Sequence, residues 1–115
     1  MSDLEELTQE LRAFASARDW EQYHLPKNLI LALVGEVGEL AELFQWRRPE
    51  ESEPEALDGE VRGAVSDELA DVLLYLVRLA DVLDVDLAAA ARDKLARNGE
   101  RYPVTQVRGS AAKRP

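Results

Sequence analysis

The sequence predicts an all-α protein, a four-helix bundle-type protomer that associates with further copies of itself. Three observations lead there. Apolar residues recur at spacings of three and four along four segments. No β-hairpin signal and no solenoid-length repeat interrupts them. Two of the segments are apolar almost all round, and burying such a helix on every side is hard to arrange within one protomer of 115 residues. The length fits one domain, expected over residues 1–103, with an extended C-terminal tail over 104–115.

The first helix is expected from about Asp3 to Ser16, where Leu4, Leu7, Leu11 and Phe14 form one stripe. Arg18 to Pro26 reads as a connection that ends before or at the proline. The second helix should run from about Lys27 to Trp46. Arg47-Arg48-Pro49 opens a loop, and the acidic stretch Glu50 to Glu55 continues it as a solvated connector. The third helix is expected from about Glu60 to Leu83. Its Val65, Leu69, Val72, Leu76, Leu79 and Leu83 lie on more than one face, so one face packs inside the protomer and another against a second chain. Asp84-Val85-Asp86 forms a junction, with Asp86 as N-cap of a fourth helix reaching about Asn98. Gly99 suits a helix end and Pro103 a stop. From Val104 to Pro115 there is no apolar period, hence the expected tail.

There is no cysteine, so neither a disulfide framework nor a thiolate site is available. The N-terminus lacks the basic-then-apolar pattern of a secretory signal, and the apolar runs are too short to span a bilayer. A cytoplasmic protein with no membrane partner is expected. A formal charge of −9 argues against a nucleic-acid polymer as partner, since that requires a clustered basic face. A polyanionic small substrate would need cations to mediate its contact.

Two matching pairs of carboxylates interrupt the apolar helices: Glu36 and Glu39 in the second, Glu68 and Asp71 in the third. A residue advances about 100° around a helix, so a spacing of three keeps each pair on one face. Two such faces turned together crowd four negative charges, which is unfavourable unless they are paired, neutralised or metal-bound. Mg²⁺ answers this chemistry. It takes about six oxygen ligands and leaves positions open for phosphate oxygens. Zinc does not fit, because His24 is the only histidine and no thiol exists. A di-iron bundle would need Glu-x-x-His on two helices, and neither pair has it. Glu36, Glu39, Glu68 and Asp71 are therefore the candidate metal ligands and catalytic residues, for metal-assisted hydrolysis of a phosphoanhydride.

Tyr75 lies four residues after Asp71 on the same stripe, as a phosphate donor or an ordinary core tyrosine. Asn28, eight residues before Glu36, is a ligand or a residue of the first turn. Trp20, Tyr23, His24 and Trp46 flank the second helix. They can sandwich a base with His24 on its edge, or pack as core or interface aromatics.

The blocks Arg18-Asp19-Trp20-Glu21-Gln22-Tyr23-His24-Leu25-Pro26-Lys27-Asn28, LALVGEVGELAELFQW, Asp67 to Leu76 and Lys94 to Pro103 occur in order. Together, over about residues 10–110, they resemble the dCTP pyrophosphatase branch of the MazG-like all-α nucleotide pyrophosphohydrolases. The resemblance implies Mg²⁺-dependent hydrolysis of a nucleoside triphosphate between its α and β phosphates, with dCTP or a modified dCTP as substrate. It implies that the ExxE and ExxD pairs hold the metal and that Trp20, His24 and Trp46 contact the substrate. Tyr75 would sit on the phosphate side, and Lys94 and Asn98 would reach the substrate from the last helix. It further implies a homodimer or homotetramer. Lys94 and Arg101 would offset phosphate charge, or act only as basic residues near a helix C-terminus. Two departures bear on base preference: a histidine of the family's mammalian-type pattern falls at or beside Leu11, and a phenylalanine is Tyr23 here. The alternatives are a broad-specificity or phosphoribosyl-ATP-type pyrophosphohydrolase, and a non-catalytic helical interaction module that would leave the carboxylates unexplained.

Overall fold

Ser2 starts the first helix by a reciprocal cap. Its hydroxyl accepts from the Glu5 N–H at 3.2 Å, and the Glu5 carboxylate accepts from the Ser2 N–H at 3.0 Å. In this computed structural model, which describes residues 1–115, helix α1 then spans Asp3–Ala17. A Schellman corner ends it. Asp19 adopts the left-handed region at φ 54°, Trp20 N–H returns to the Ala15 carbonyl at 2.9 Å, and Asp19 N–H to that of Ser16 at 3.1 Å. A 3₁₀ turn, Glu21–Tyr23, follows inside the segment expected to be a plain connection.

Helix α2 spans Pro26–Glu42, with Pro26 in the first turn, where its missing N–H costs nothing. It stops short of the expected Trp46: Leu43 to Trp46 form tighter turns. The physical reason lies in Arg47, whose guanidinium donates to the Leu43 carbonyl at 3.2 Å and to the Glu51 carbonyl at 3.0 Å. It thereby satisfies the Leu43 carbonyl that a further α-turn would have taken and ties it to the connector. The acidic connector carries two short 3₁₀ helices, Pro49–Glu51 and Pro54–Ala56, each begun by a proline.

Asp58 caps helix α3, Gly59–Val82, by accepting from Val61 N–H at 2.9 Å. Asp86 caps helix α4, Leu87–Arg101, as expected, by accepting from Ala89 N–H at 3.0 Å. The helix passes through Gly99 rather than ending there. The terminator is Pro103, which forces Tyr102 out of the helical region (φ −122°, ψ 68°). The segment expected to be extended from Val104 begins with one helical turn, α5, Val104–Val107. No strand occurs, and no helix is long and apolar enough to cross a membrane.

Met1–Asp84 and Val85–Pro115 form two compact units. In the first, α3 packs against both α2 and α1. Its buried apolar residues are few: Ala15, Leu29, Val77 and Ala80. Ile30, Leu31, Val34 and Val37 of α2 and Leu69, Leu73 and Leu76 of α3 remain exposed. In the second, the last residues fold back onto the end of α4. Arg101 donates to the Arg114 and Pro115 carbonyls, and Arg114 N–H donates to the Tyr102 hydroxyl.

Candidate metal centre and base cavity

Because α2 and α3 pack side by side, their carboxylate stripes meet. One carboxylate oxygen from each of Glu36, Glu39 and Glu68 lies within 4.8 Å of the others. Glu36 and Glu68 are half-buried, and Oε2 of each is shut away from solvent without a hydrogen-bond partner. No ion pair of the chain reaches this group; the arginines bond to Asp81, Asp93, Glu50 and Glu51 instead. Asp71 is not one of the three convergent residues. Its charge still acts on Glu36, and it lines the cavity beside the cluster.

The electrostatic result is that two of these carboxyls hold their protons more tightly than an exposed glutamate does. Burial, with Glu36 and Glu39 alongside, pushes the Glu68 carboxyl from 4.5 up to about 7. Burial also raises Glu36, helped by the charges of Glu39 and Asp71, while Glu68 acts in the opposite direction. A buried carboxylate oxygen with no partner is costly. An all-oxygen donor set without a neighbouring cation fits a hard divalent ion, so the residues present suit the metal that the sequence suggests.

Next to this cluster lies a cavity of about 170 Å³, lined by Leu11, Phe14, Trp20, His24, Leu29, Asp71, Leu74, Tyr75 and Arg78. A volume of about 150 Å³ is enough for benzene, so the space suits a single ring and not a whole nucleotide. The Schellman corner sets one wall: it turns Trp20 edge-on against Phe14, with ring centroids 5.8 Å apart and planes at 68°. Tyr75 and Asp71, one turn apart on α3, join the cavity to the carboxylates.

The other residues singled out from sequence are placed as follows. Trp46 is 88% exposed in the turn after α2 and is not part of the cavity wall. The Asn28 amide donates to the Tyr23 carbonyl at 3.1 Å, tying the 3₁₀ turn to α2. Lys94, exposed, and Asn98, half-buried, lie four residues apart on α4 in the second unit. Sequence reasoning missed Arg78, which is only 9% exposed and lines the cavity. The signal was available: Arg78 falls seven residues after Asp71 and three after Tyr75, on the same stripe, between Val77 and Leu79.

The family model described as MazG-like matches residues 32–113. The chain is 54% identical over 110 residues to dCTP pyrophosphatase 1 of Rattus norvegicus and 50% identical to that of Homo sapiens. Each alignment covers 96% of this chain and 65% of the relative, so the chain spans slightly less than two thirds of the curated relatives it matches. A solved structure of a pyrophosphatase from Archaeoglobus fulgidus superposes with a TM-score of 0.81 at 42% identity. That match covers 90% of this chain and 94% of the other.

Proposed function

The chain belongs to the MazG-like family, and on that premise we propose that it is a Mg²⁺-dependent nucleoside triphosphate pyrophosphatase. It would cleave the α–β phosphoanhydride of dCTP or a modified dCTP, releasing a nucleoside monophosphate and diphosphate. The observation that carries this is the pair of buried, partnerless oxygens, Glu36 Oε2 and Glu68 Oε2, facing no cation of the chain's own. Relatives named dCTP pyrophosphatase 1 support the substrate.

Glu36, Glu39, Glu68 and Asp71 would hold the metal. Bound Mg²⁺ would neutralise phosphate charge and make a coordinated water more acidic. Either Glu36 or Glu39 accepts the water's proton on a carboxylate oxygen. The Tyr75 hydroxyl donates to a phosphate oxygen from the margin between cluster and cavity. Phe14 and Trp20 give the base an apolar slot, and His24 bonds its edge. On the family resemblance Trp46, Lys94 and Asn98 would also contact the substrate, and Asn28 would join them by its place eight residues before Glu36 on α2.

The exposed stripes of α2 and α3 support a homodimer or homotetramer, in which a second copy covers Val34 and Leu69. A cytoplasmic location accords with a cysteine-free chain acting on the nucleotide pool.

A panel of nucleoside triphosphates assayed for diphosphate with and without Mg²⁺ tests the reading. Release from dCTP only with metal, abolished in Asp71→Ala, is the expected result. Metal-independent release, or a fully active variant, would overturn it.

A further inference from the structure

The two ring nitrogens of His24 are not equivalent. Arg78 Nε–H donates to His24 Nδ1 at 2.9 Å. A guanidinium has donors and no acceptor, so Nδ1 is the unprotonated nitrogen and the ring's hydrogen sits on Nε2. Arg78 is itself held in place. Its Nη1 donates to Asp81 Oδ2 at 3.1 Å, and Asp81 in turn receives two hydrogen bonds from Arg12, at 2.8 and 2.5 Å. The guanidinium plane is fixed by these bonds and by burial, and it ends on a ring that lines the base cavity.

Resting on the nucleotide-pyrophosphatase reading of this site, we propose that Arg78 is a positioning residue for base selection. It locks His24 as a neutral ring whose only hydrogen-bond donor is Nε2–H, so the cavity favours a base edge that presents an acceptor.

A free imidazole exchanges its donor and acceptor between nitrogens and tolerates either kind of partner. The locked ring does not. A donor facing N3 meets an acceptor in cytosine but a hydrogen in uracil and thymine, whose acceptors are confined to O2 and O4. Setting one donor against another leaves two buried donors unpaired, which penalises the wrong base more than a lost contact would. Burial lowers the His24 pKa, and the charge of Arg78 lowers it further against the opposing pull of Glu21. The titratable and charged groups around the ring are Glu21, Arg78, Asp71 and Tyr75, with Asp81 and Arg12 behind Arg78.

His24 is the only histidine, so ¹⁵N NMR of imidazole-labelled full-length protein reads it directly. The expected wild-type spectrum shows Nδ1 unprotonated and Nε2 protonated at neutral pH, with titration below the usual histidine range. Arg78→Met leaves Asp81 bonded to Arg12, and should show mixed tautomers and a titration midpoint moved upward. Arg78→Lys, still a donor, should restore the Nε2–H form. In turnover with Mg²⁺, Arg78→Met should raise KM for dCTP on the order of tenfold with kcat changed less than about twofold, and shrink the preference for dCTP over dUTP. The lock is overturned if the wild-type spectrum shows Nδ1 protonated, or if Arg78→Met leaves tautomer and titration unchanged. An absence of turnover with every triphosphate would sink the pyrophosphatase reading and leave the spectrum to decide the lock. Binding of dCMP and dUMP, followed on the same Nε2 signal, then decides base selection. A larger shift with dCMP supports it, and equal shifts overturn it.

Discussion

At Glu68, burial and the neighbouring Glu36 and Glu39 favour the protonated carboxyl. Its folded pKa is raised to about 7 from 4.5, so this group's stabilising contribution is fully present below about 4.5 and declines as pH rises through about 7. His24 works in the other direction. Its folded pKa is lowered from 6.5, so its contribution grows as pH rises towards 6.5. Thermal melts of wild type and Glu68→Gln across this range isolate the Glu68 part, because the variant should lose the decline towards pH 7 that this carboxyl adds while the histidine part stays. Mg²⁺ requires the ionised carboxylate, so its thermal shift should be large above about pH 7, fade towards pH 5 and vanish in Glu68→Gln. A pH-independent shift would mean that the ion binds elsewhere. Turnover in Glu68→Gln should fall on the order of 100-fold or more. The spacing of the two carboxylate pairs marked Glu36, Glu39 and Glu68, which do converge, because local helical geometry alone sets which carboxylates share a face; the same spacing also marked Asp71, which stands outside the three. The chain Arg12–Asp81–Arg78–His24 was not visible. Its partners lie 69 and 54 residues apart, and only tertiary packing brings them together.

Among the elements, α1 and α3 are joined through Asp81, which receives bonds from both Arg12 and Arg78. Asp81→Ala leaves the buried Arg78 guanidinium without its counter-charge, and should cost about 3 kcal/mol in denaturant unfolding. Arg12→Ala should cost far less, because that side chain is 60% exposed and Arg78 still neutralises Asp81. In α4, Gly99 lies inside the helix with open space where a Cβ would project. Gly99→Ala should therefore stabilise the protein by about 0.5–1 kcal/mol, read as a shift in denaturant midpoint at constant slope. This residue also shows why helix boundaries were the less legible part of the fold. Glycine signals an end only when it adopts the left-handed region, and the next true obstacle was Pro103, four residues on. The end of α2 was hidden for a related reason. Leu43 to Gln45 are acceptable helix residues, and the stop comes from Arg47 reaching back to a carbonyl.

For the whole molecule, the decisive feature is how little one chain buries. No large side chain is fully enclosed, while Val34 stands 61% exposed between Glu36 and the start of α2. Light scattering at micromolar concentration should give a mass that is a multiple of 12.9 kDa, and Val34→Glu should move it towards a single chain. A monomeric wild type would refute the assembly. The apolar excess of the second and third helices was legible in the sequence because no arrangement of so few helices can cover every side of two of them. What covers each stripe was not legible, since periodicity marks a face without naming its partner. The scarcity of enclosed side chains also bears on life at low abundance. Under the proposed assembly, newly made chains that have not met a companion would spend more time open and be exposed to proteases, while assembled ones would persist. The protein's lifetime would then rise with its own concentration.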